Sequence, residues 1–339
     1  MNQSGIHYAD IKLDESTREL CILASYDRCS QVQKYVYHLI DKVASELDAH
    51  VVFVTTSDVL SDEDKGKLSK MGVSVVHREN SGYDFKSYYV GLSCFKDKLL
   101  QFERVYHVND SVYGPFASLS EVKARMLRSG FDAWGMTDSW KINYHVQSYF
   151  TCFNSNVFDE LVRFWDGYSF ESDYGTVISS GEVGLSQHLI KNGFCVGAAF
   201  PLEKYVAPYL NKVENAGDNA HTCVRSMSKP RWYSIKQRAT QLDPSVIVWR
   251  PMLKDGYPFL KTKLLKDWCH LGAHSGDWLN LVPESFVYAQ TVAQASVHRD
   301  RPALVGKLKP KCYHFFLNPV KYLKYIKNWS EFMRRLISD

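Results

Sequence analysis

The residues with the clearest capacity for chemistry are Asn109, Asp110 and Ser111, within the stretch RVYHVNDSVYGPF at residues 104–116. An apolar run of β type leads straight into this polar triplet and then into a Gly-Pro turn. An amide, a carboxylate and a hydroxyl in a row suit a sugar nucleotide or a hard metal ion, and open α/β sheets bind ligands just outside the carboxyl ends of their strands. So short a triplet would also serve as an ordinary polar surface turn. The elements around it must decide.

Residues 20–25 (LCILAS) form a continuous apolar run, the pattern of a strand covered on both faces. A helix follows, with Val32, Val36, Leu39, Ile40, Val43 and Leu47 at spacings of three and four and Ser30 expected as its N-cap. Residues 50–55 read as a second buried strand, 61–71 as a polar helix opening with SDED, and 73–77 as a third strand. This βαβαβ alternation predicts parallel strands with helices on both faces. The loop RENSGYDFKSYYVGLSCF then passes into a helix carrying Tyr88, Leu92, Phe95 and Leu99, which delivers the chain to residues 104–116 as the fourth strand. Beyond it the pattern predicts a helix over 119–127, strands within 132–140 and 144–158, a helix over 157–165 and a loop over 166–181. In GEVGLSQHLIKNGF, Glu182 is expected in a first helical turn, where the helix dipole favours a carboxylate, and Gly193 at the helix end. Residues 209–241 are weakly patterned and polar, and 244–267 contain a short strand and the compact turn KDGYPF.

With 339 residues, 45% of them hydrophobic, the chain has ample material for one large α/β domain or two modest ones, which excludes a disordered protein. A net charge of +4 is too small to imply nucleic acid. The eight cysteines show neither a CxxC pair nor a zinc-type Cys/His spacing, and most read as small core residues. No signal-peptide pattern opens the sequence and no run approaches 18 apolar residues, so the expectation is a reducing cytoplasm. Near the carboxyl end, Leu323, Ile326, Trp329, Met333 and Leu336 share one side of a helix whose remainder is dominated by Lys321, Lys324, Lys327, Arg334 and Arg335. Such a helix either lies peripherally on an anionic membrane, here through residues 320–339, or docks on its own domain with its lysines in solvent. No GxGxxG follows the first strand, which argues against a Rossmann-type oxidoreductase.

Several segments, in order, resemble the rhamnan synthesis protein F family: RENSGYDFKSYYVGL, YHVNDSVYGPF, DAWGMTDS with YHVQSYFTCF, GEVGLSQHLIKNGF, and WRPMLKDGYPFLKTKLL. The resemblance spans roughly residues 20–270. It implies a GT-A-like glycosyltransferase with a Rossmann-type mixed sheet, residues 1–272, whose donor half covers about 18–140 and acceptor half about 141–272, followed by a C-terminal extension over 273–339. It further implies a nucleotide-sugar donor, with dTDP-rhamnose suggested, and a lipid-linked surface polysaccharide as acceptor. The fourth strand is then expected to end in a donor-binding motif, yet this chain departs from the family of Asp-x-Asp patterns, since only Asp110 is a carboxylate. A divalent cation, Mg²⁺ or Mn²⁺, needs oxygen ligands and can be held by one carboxylate and the phosphates, which leaves Asp110 as a candidate ligand and metal-free catalysis as the alternative.

Transfer of a glycosyl group needs stabilisation of the departing diphosphate and, with inversion, a base for the acceptor hydroxyl. Glu182 is the candidate base, the alternative being an ordinary first-turn carboxylate. Asp84, Lys86, Asn109, Asp110, Ser111 and Asp138 are the candidate donor contacts, although Asp84 would also suit a helix N-cap, Lys86 solvent and Asp138 a turn cap. His145 and Gln147 alternate onto one side of their strand and are candidate acceptor contacts, against the plainer reading of a buried, hydrogen-bonded histidine. His298 and His314 are further metal-ligand candidates. A scaffold of the same fold that binds glycan or assembly enzymes and transfers nothing is the competing function.

Overall fold

The computed structural model describes residues 5–13, 16–170, 173–206, 243–266 and 277–282. A nine-stranded mixed sheet runs through it in the order β1 (Ile6–Asp10), β4 (Ser74–Arg78), β3 (Ala49–Thr55), β2 (Glu19–Ser25), β5 (Arg104–Asn109), β9 (Phe150–Asn154), β7 (Ala133–Ser139), β10 (Val196–Phe200), with β8 (His145–Val146) hydrogen-bonded to β7. Strands β2 to β5 are parallel and β10 is parallel to β7. β1, β8 and β9 run antiparallel to their neighbours. This is the helix-flanked, Rossmann-type mixed sheet that the alternation and the family resemblance imply.

Period two in the strands divides the core in two. Cys21, Leu23, Val51 and Phe53 pack to one side with α1 (Lys34–Leu47), α2 (Asp62–Lys70) and α4 (Leu119–Leu127). Leu20, Ile22, Val52 and Val54 pack to the other with α3 (Tyr83–Ser93), α5 (Phe158–Asp166) and α7 (Gly184–Lys191). Both faces being covered, every residue of β2 and of β3 is buried, which is why those strands read as unbroken apolar runs. Gly91 lets α3 sit close on β2, since a Cβ there would lie 2.4 Å from Cγ2 of Ile22. A short helix α6 (Tyr174–Thr176) and a π-helical turn over Val177–Val183 lead directly into α7. The chain continues through α8 (Leu202–Val206), α9 (Pro244–Ile247), α10 (Trp249–Lys254), β11 (Leu260–Lys261) and α11 (Thr262–Lys266).

Local chemistry explains where expectation and structure agree or part. Ser61 caps α2, its hydroxyl accepting the Asp64 N–H at 3.0 Å. Ser30 does not cap α1: it sits at φ 55° and its hydroxyl accepts the Val59 N–H, while α1 begins after Gln33 with no side-chain cap. The expected strand over 144–158 is divided, β8 pairing with β7 and β9 lying between β5 and β7. Residues 174–181, expected as loop, are helical. β1 and β10 are additional strands, the first short and half-exposed, the second a five-residue VGAAF with little β-branching. Among the described residues no helix is long and apolar enough to cross a membrane. The basic helix proposed for 320–339, together with His298 and His314, lies outside the described residues.

Candidate active site

Asn109 closes β5, and the chain turns into β6 (Val112–Tyr113), which pairs antiparallel with β11 in the register Tyr113 to Leu260 and Val112 to Lys261. The ribbon is extended by two backbone bonds, from Thr262 N–H to the Ser111 carbonyl at 3.0 Å and from Phe116 N–H to the Pro258 carbonyl at 2.7 Å. Gly114 makes this approach feasible: its φ is +120° and a Cβ would lie 2.3 Å from the Pro258 oxygen. The ribbon thereby sets Lys261 against the carboxyl end of β5, where its Nζ donates to Ser111 Oγ at 3.0 Å and lies 3.9 Å from the centre of the Tyr149 ring.

Another wall is built by Arg78. Its fully buried guanidinium donates to the carbonyls of Glu79, Ser81 and Tyr83 and, through Nε and Nη2, to Ser87 Oγ. These bonds brace a tight turn in which Gly82 and Tyr83 are both left-handed, at φ 67° and 52°. The turn presents Asp84, whose Oδ2 accepts from Asn109 Nδ2 at 2.8 Å. Asn109 Oδ1 in turn accepts the Ser111 N–H at 3.1 Å and the Ser111 hydroxyl at 2.5 Å.

A further wall is the π-helical turn. It brings Glu182 Oε1 to the Ser148 N–H at 2.7 Å, which fixes the carboxylate's orientation. Gln147 joins the walls, accepting the Thr137 hydroxyl at 2.6 Å and donating to Asp243 Oδ1 at 3.2 Å. Asp243 also accepts from Ser245 Oγ at 2.6 Å and from Lys263 Nζ at 2.9 Å. His145, buried, shares its Nδ1 with the Asn143 carbonyl at 2.8 Å.

Together these walls enclose a cleft of about 480 Å³ at the carboxyl ends of the parallel strands. Burial is the first influence on its charges. It pushes the Asp84 carboxyl up to about 6, against the opposing pull of the Asn109 amide, Lys261 and Arg78. It pushes the Lys261 ammonium down to about 8, against the carboxylates of Asp243, Glu182 and Asp84. Burial would also raise Asp243, but Lys263, Lys261 and the Ser245 hydroxyl outweigh it and hold that carboxyl at about 2.

Of the residues expected from the sequence, Asp84, Asn109, Ser111, His145, Gln147 and Glu182 all line this one cleft. Glu182 reaches it from the middle of a continuous helical path that begins at Tyr174, and not from a first helical turn as expected. Asp84 is not an N-cap either, since Gly82 holds that position and the carboxylate turns to Asn109. Lys86, Asp110 and Asp138 are not among the cleft's lining residues. Lys86 pairs with Glu79 at 2.7 Å. Asp138 is buried, accepts the Leu202 N–H at 2.7 Å at the start of α8, and is pushed up to about 7 by that burial. Asp110 Oδ2 accepts the Ser25 hydroxyl at 2.7 Å and the Tyr26 N–H at 3.1 Å, tying the carboxylate to the end of β2.

That engagement bears on a cation. Among the described residues no three His, Cys, Asp or Glu side chains are placed to hold a metal ion, and the only carboxylate of the triplet faces β2. The cleft carboxylates Asp84, Glu182 and Asp243 are each bound to protein N–H groups, with ammonium groups among them. This donor set does not fit a metal held by the triplet.

Sequence reasoning missed Asp243, Lys261, Lys263 and Tyr149. The alternating lysines of LKTK, inside a segment already matched to the family, were the available signal.

Comparison with known proteins places these features in context. A family model described as rhamnan synthesis protein F matches residues 51–255. The virulence protein VirA of Vibrio anguillarum is 26% identical over 277 residues, which is 79% of this chain and 86% of that protein. Among solved structures, the mannosyltransferase PcManGT of Pyrobaculum calidifontis, in complex with GDP-Man and Mn²⁺, is similar at a TM-score of 0.36 and 11% identity, covering 97% of this chain and 88% of that one. Residues 1–349 of TarS of S. aureus, in complex with UDP, are similar at a TM-score of 0.33 and 12% identity, covering 82% and 88%.

Proposed function

The chain belongs to the rhamnan synthesis protein F family, and on that premise we propose that it is a glycosyltransferase of polysaccharide assembly whose active site is the cleft between Asp84, Asn109, Glu182 and Lys261. The observation that carries this reading is convergence: side chains from the 78–84 turn, the end of β5, the π-helical turn and the 243–263 segment meet in one cleft at the carboxyl ends of parallel strands. The donor is a nucleotide sugar, dTDP-rhamnose by the family resemblance, and the acceptor a lipid-linked glycan.

The reaction follows from the groups present. The bond from the sugar's anomeric carbon to the diphosphate oxygen breaks, and the electron pair leaves with the diphosphate. The acceptor oxygen forms the new bond and its proton passes to the Glu182 carboxylate, which the Ser148 N–H holds in one orientation. The second Nδ2–H of Asn109 offers a hydrogen bond to the donor, with Asp84 orienting the amide and the Ser111 hydroxyl donating to its Oδ1. His145 and Gln147 form the side from which the acceptor enters.

A screen of dTDP-, UDP- and GDP-sugars for transfer and hydrolysis, with and without Mn²⁺, tests the proposal. Turnover of one donor that falls by about 10²–10⁴ in Glu182→Gln is the expected result; full turnover in that variant removes Glu182 from the chemistry. The engagement of Asp110 with β2 supports a second reading, a binding protein of the same fold that transfers nothing. Donor binding with no turnover under any condition is its signature.

A further inference from the structure

Resting on the reading that the cleft takes a nucleotide sugar, we infer that Lys261, positioned by the Ser111 hydroxyl and seconded by Lys263, is the cation that binds the donor's diphosphate, so that the protein itself supplies the positive charge at the end of β5. The two lysines are held differently. Lys263 is ion-paired with Asp243 at 2.9 Å. Lys261, among the described residues, has no ion pair; one of its three N–H groups goes to Ser111 Oγ, and the ammonium rests over the Tyr149 ring. An ammonium placed in a cleft and held by a hydroxyl and a ring face keeps donors for an anion's oxygens. Its location is fixed by the backbone: the β6–β11 ribbon registers Lys261 opposite Val112, one residue beyond Ser111.

The charges facing Lys261 are consistent with this role. Asp243 is ion-paired with Lys263, Asp84 is oriented toward Asn109, and Glu182 accepts the Ser148 N–H. Burial lowers the Lys261 ammonium only to about 8, so it is largely protonated at pH 7. When the bond between sugar and diphosphate breaks, the charge that develops on the leaving oxygen falls beside this ammonium, where a partly dry cleft strengthens the attraction. Asp110, bonded to Ser25 and Tyr26, need hold no cation for the diphosphate to be neutralised.

The test is calorimetric titration of the full chain with UDP, GDP, dTDP and inorganic pyrophosphate, and with uridine as the uncharged control, in EDTA and again in Mn²⁺. The expected result is binding of at least one diphosphate in EDTA, no binding of uridine at the same concentrations, and affinity lowered about 10- to 100-fold in Lys261→Met. Lys261→Arg should retain most of the affinity, and thermal unfolding of both variants separates loss of the ligand contact from loss of fold. Diphosphate binding that requires Mn²⁺, or that is unchanged in a folded Lys261→Met, or that is absent altogether, overturns the inference. The outcomes stay distinct from those of the proposed function: sugar transfer with kcat and KM untouched by Lys261→Met sinks this inference alone, and Lys261-dependent diphosphate binding without transfer sinks the transferase reading alone.

Discussion

Asp84 and Asp243 line the same cleft from different segments of the chain, and their carboxyls are displaced in opposite directions. Asp84 belongs to the wall formed by residues 78–111, where its hydrogen-bond donor is a neutral amide, and burial raises it to about 6. Asp243 belongs to the wall formed by residues 243–263, where two lysines hold it at about 2 despite its burial. The first wall is built around a buried cation, Arg78, whose charge is directed into backbone carbonyls behind the turn. The second directs its cations into the cleft. One wall thus supplies oriented neutral and weakly acidic groups and the other supplies positive charge, while Glu182, the proposed base, stands on the π-helical turn between them in sequence.

Removal of Arg78 should break the first wall most severely. Arg78→Met leaves three part-buried carbonyl groups and the buried Ser87 Oγ without their donor, and the expected loss is about 3–5 kcal/mol of stability, read by denaturant unfolding. Gly114→Ala attacks the second wall from outside the cleft. Strain at φ +120° and the contact with the Pro258 oxygen should cost about 2–4 kcal/mol, and diphosphate affinity should fall with it because Lys261 rides on the same ribbon.

The two carboxylates sharpen the comparison further. Asp84 sits above its ordinary 3.8, so its ionisation opposes folding: the stability linked to it is complete below about pH 4 and is lost as pH rises through 6. Asp243 sits below that value, so its contribution is present above about pH 4 and is lost as pH falls through 2. At pH 7, Asp84→Asn should therefore stabilise the protein by about 1–2 kcal/mol and Asp243→Asn destabilise it by about 1 kcal/mol, both reduced for solvent screening. Thermal unfolding at pH 7 and pH 4 measures both, and shifts of the same sign would end the contrast. The smallest effect belongs to Lys86→Ala, which removes a solvent-screened surface pair with Glu79 and should leave both the unfolding midpoint and donor KM unchanged.

Much of the first wall was legible in the sequence because its parts are local. The parallel strands announce themselves as apolar runs, the triplet Asn109-Asp110-Ser111 follows one of them directly, and Asp84 lies in the loop RENSGYD of the matched family. Glu182 was found for a partly wrong reason, since a π-helical turn, which has no strong sequence pattern, and not a helix start, aims it at Ser148. The direction in which Asp110 points could not be read, because its partners Ser25 and Tyr26 lie 85 and 84 residues away.

What the sequence determined by itself is the layered α/β scaffold and the strand end at which the cleft lies, because period two, period 3.6 and the order of elements are properties of neighbouring residues. What only the tertiary structure decided is the charge of the site. Lys261 meets Ser111 across 150 residues, through a two-residue strand pair that Gly114 permits, and no local pattern encodes such a contact. Electrostatic character is a property of which walls meet, and in this protein the wall that brings the positive charge comes from the far end of the described chain.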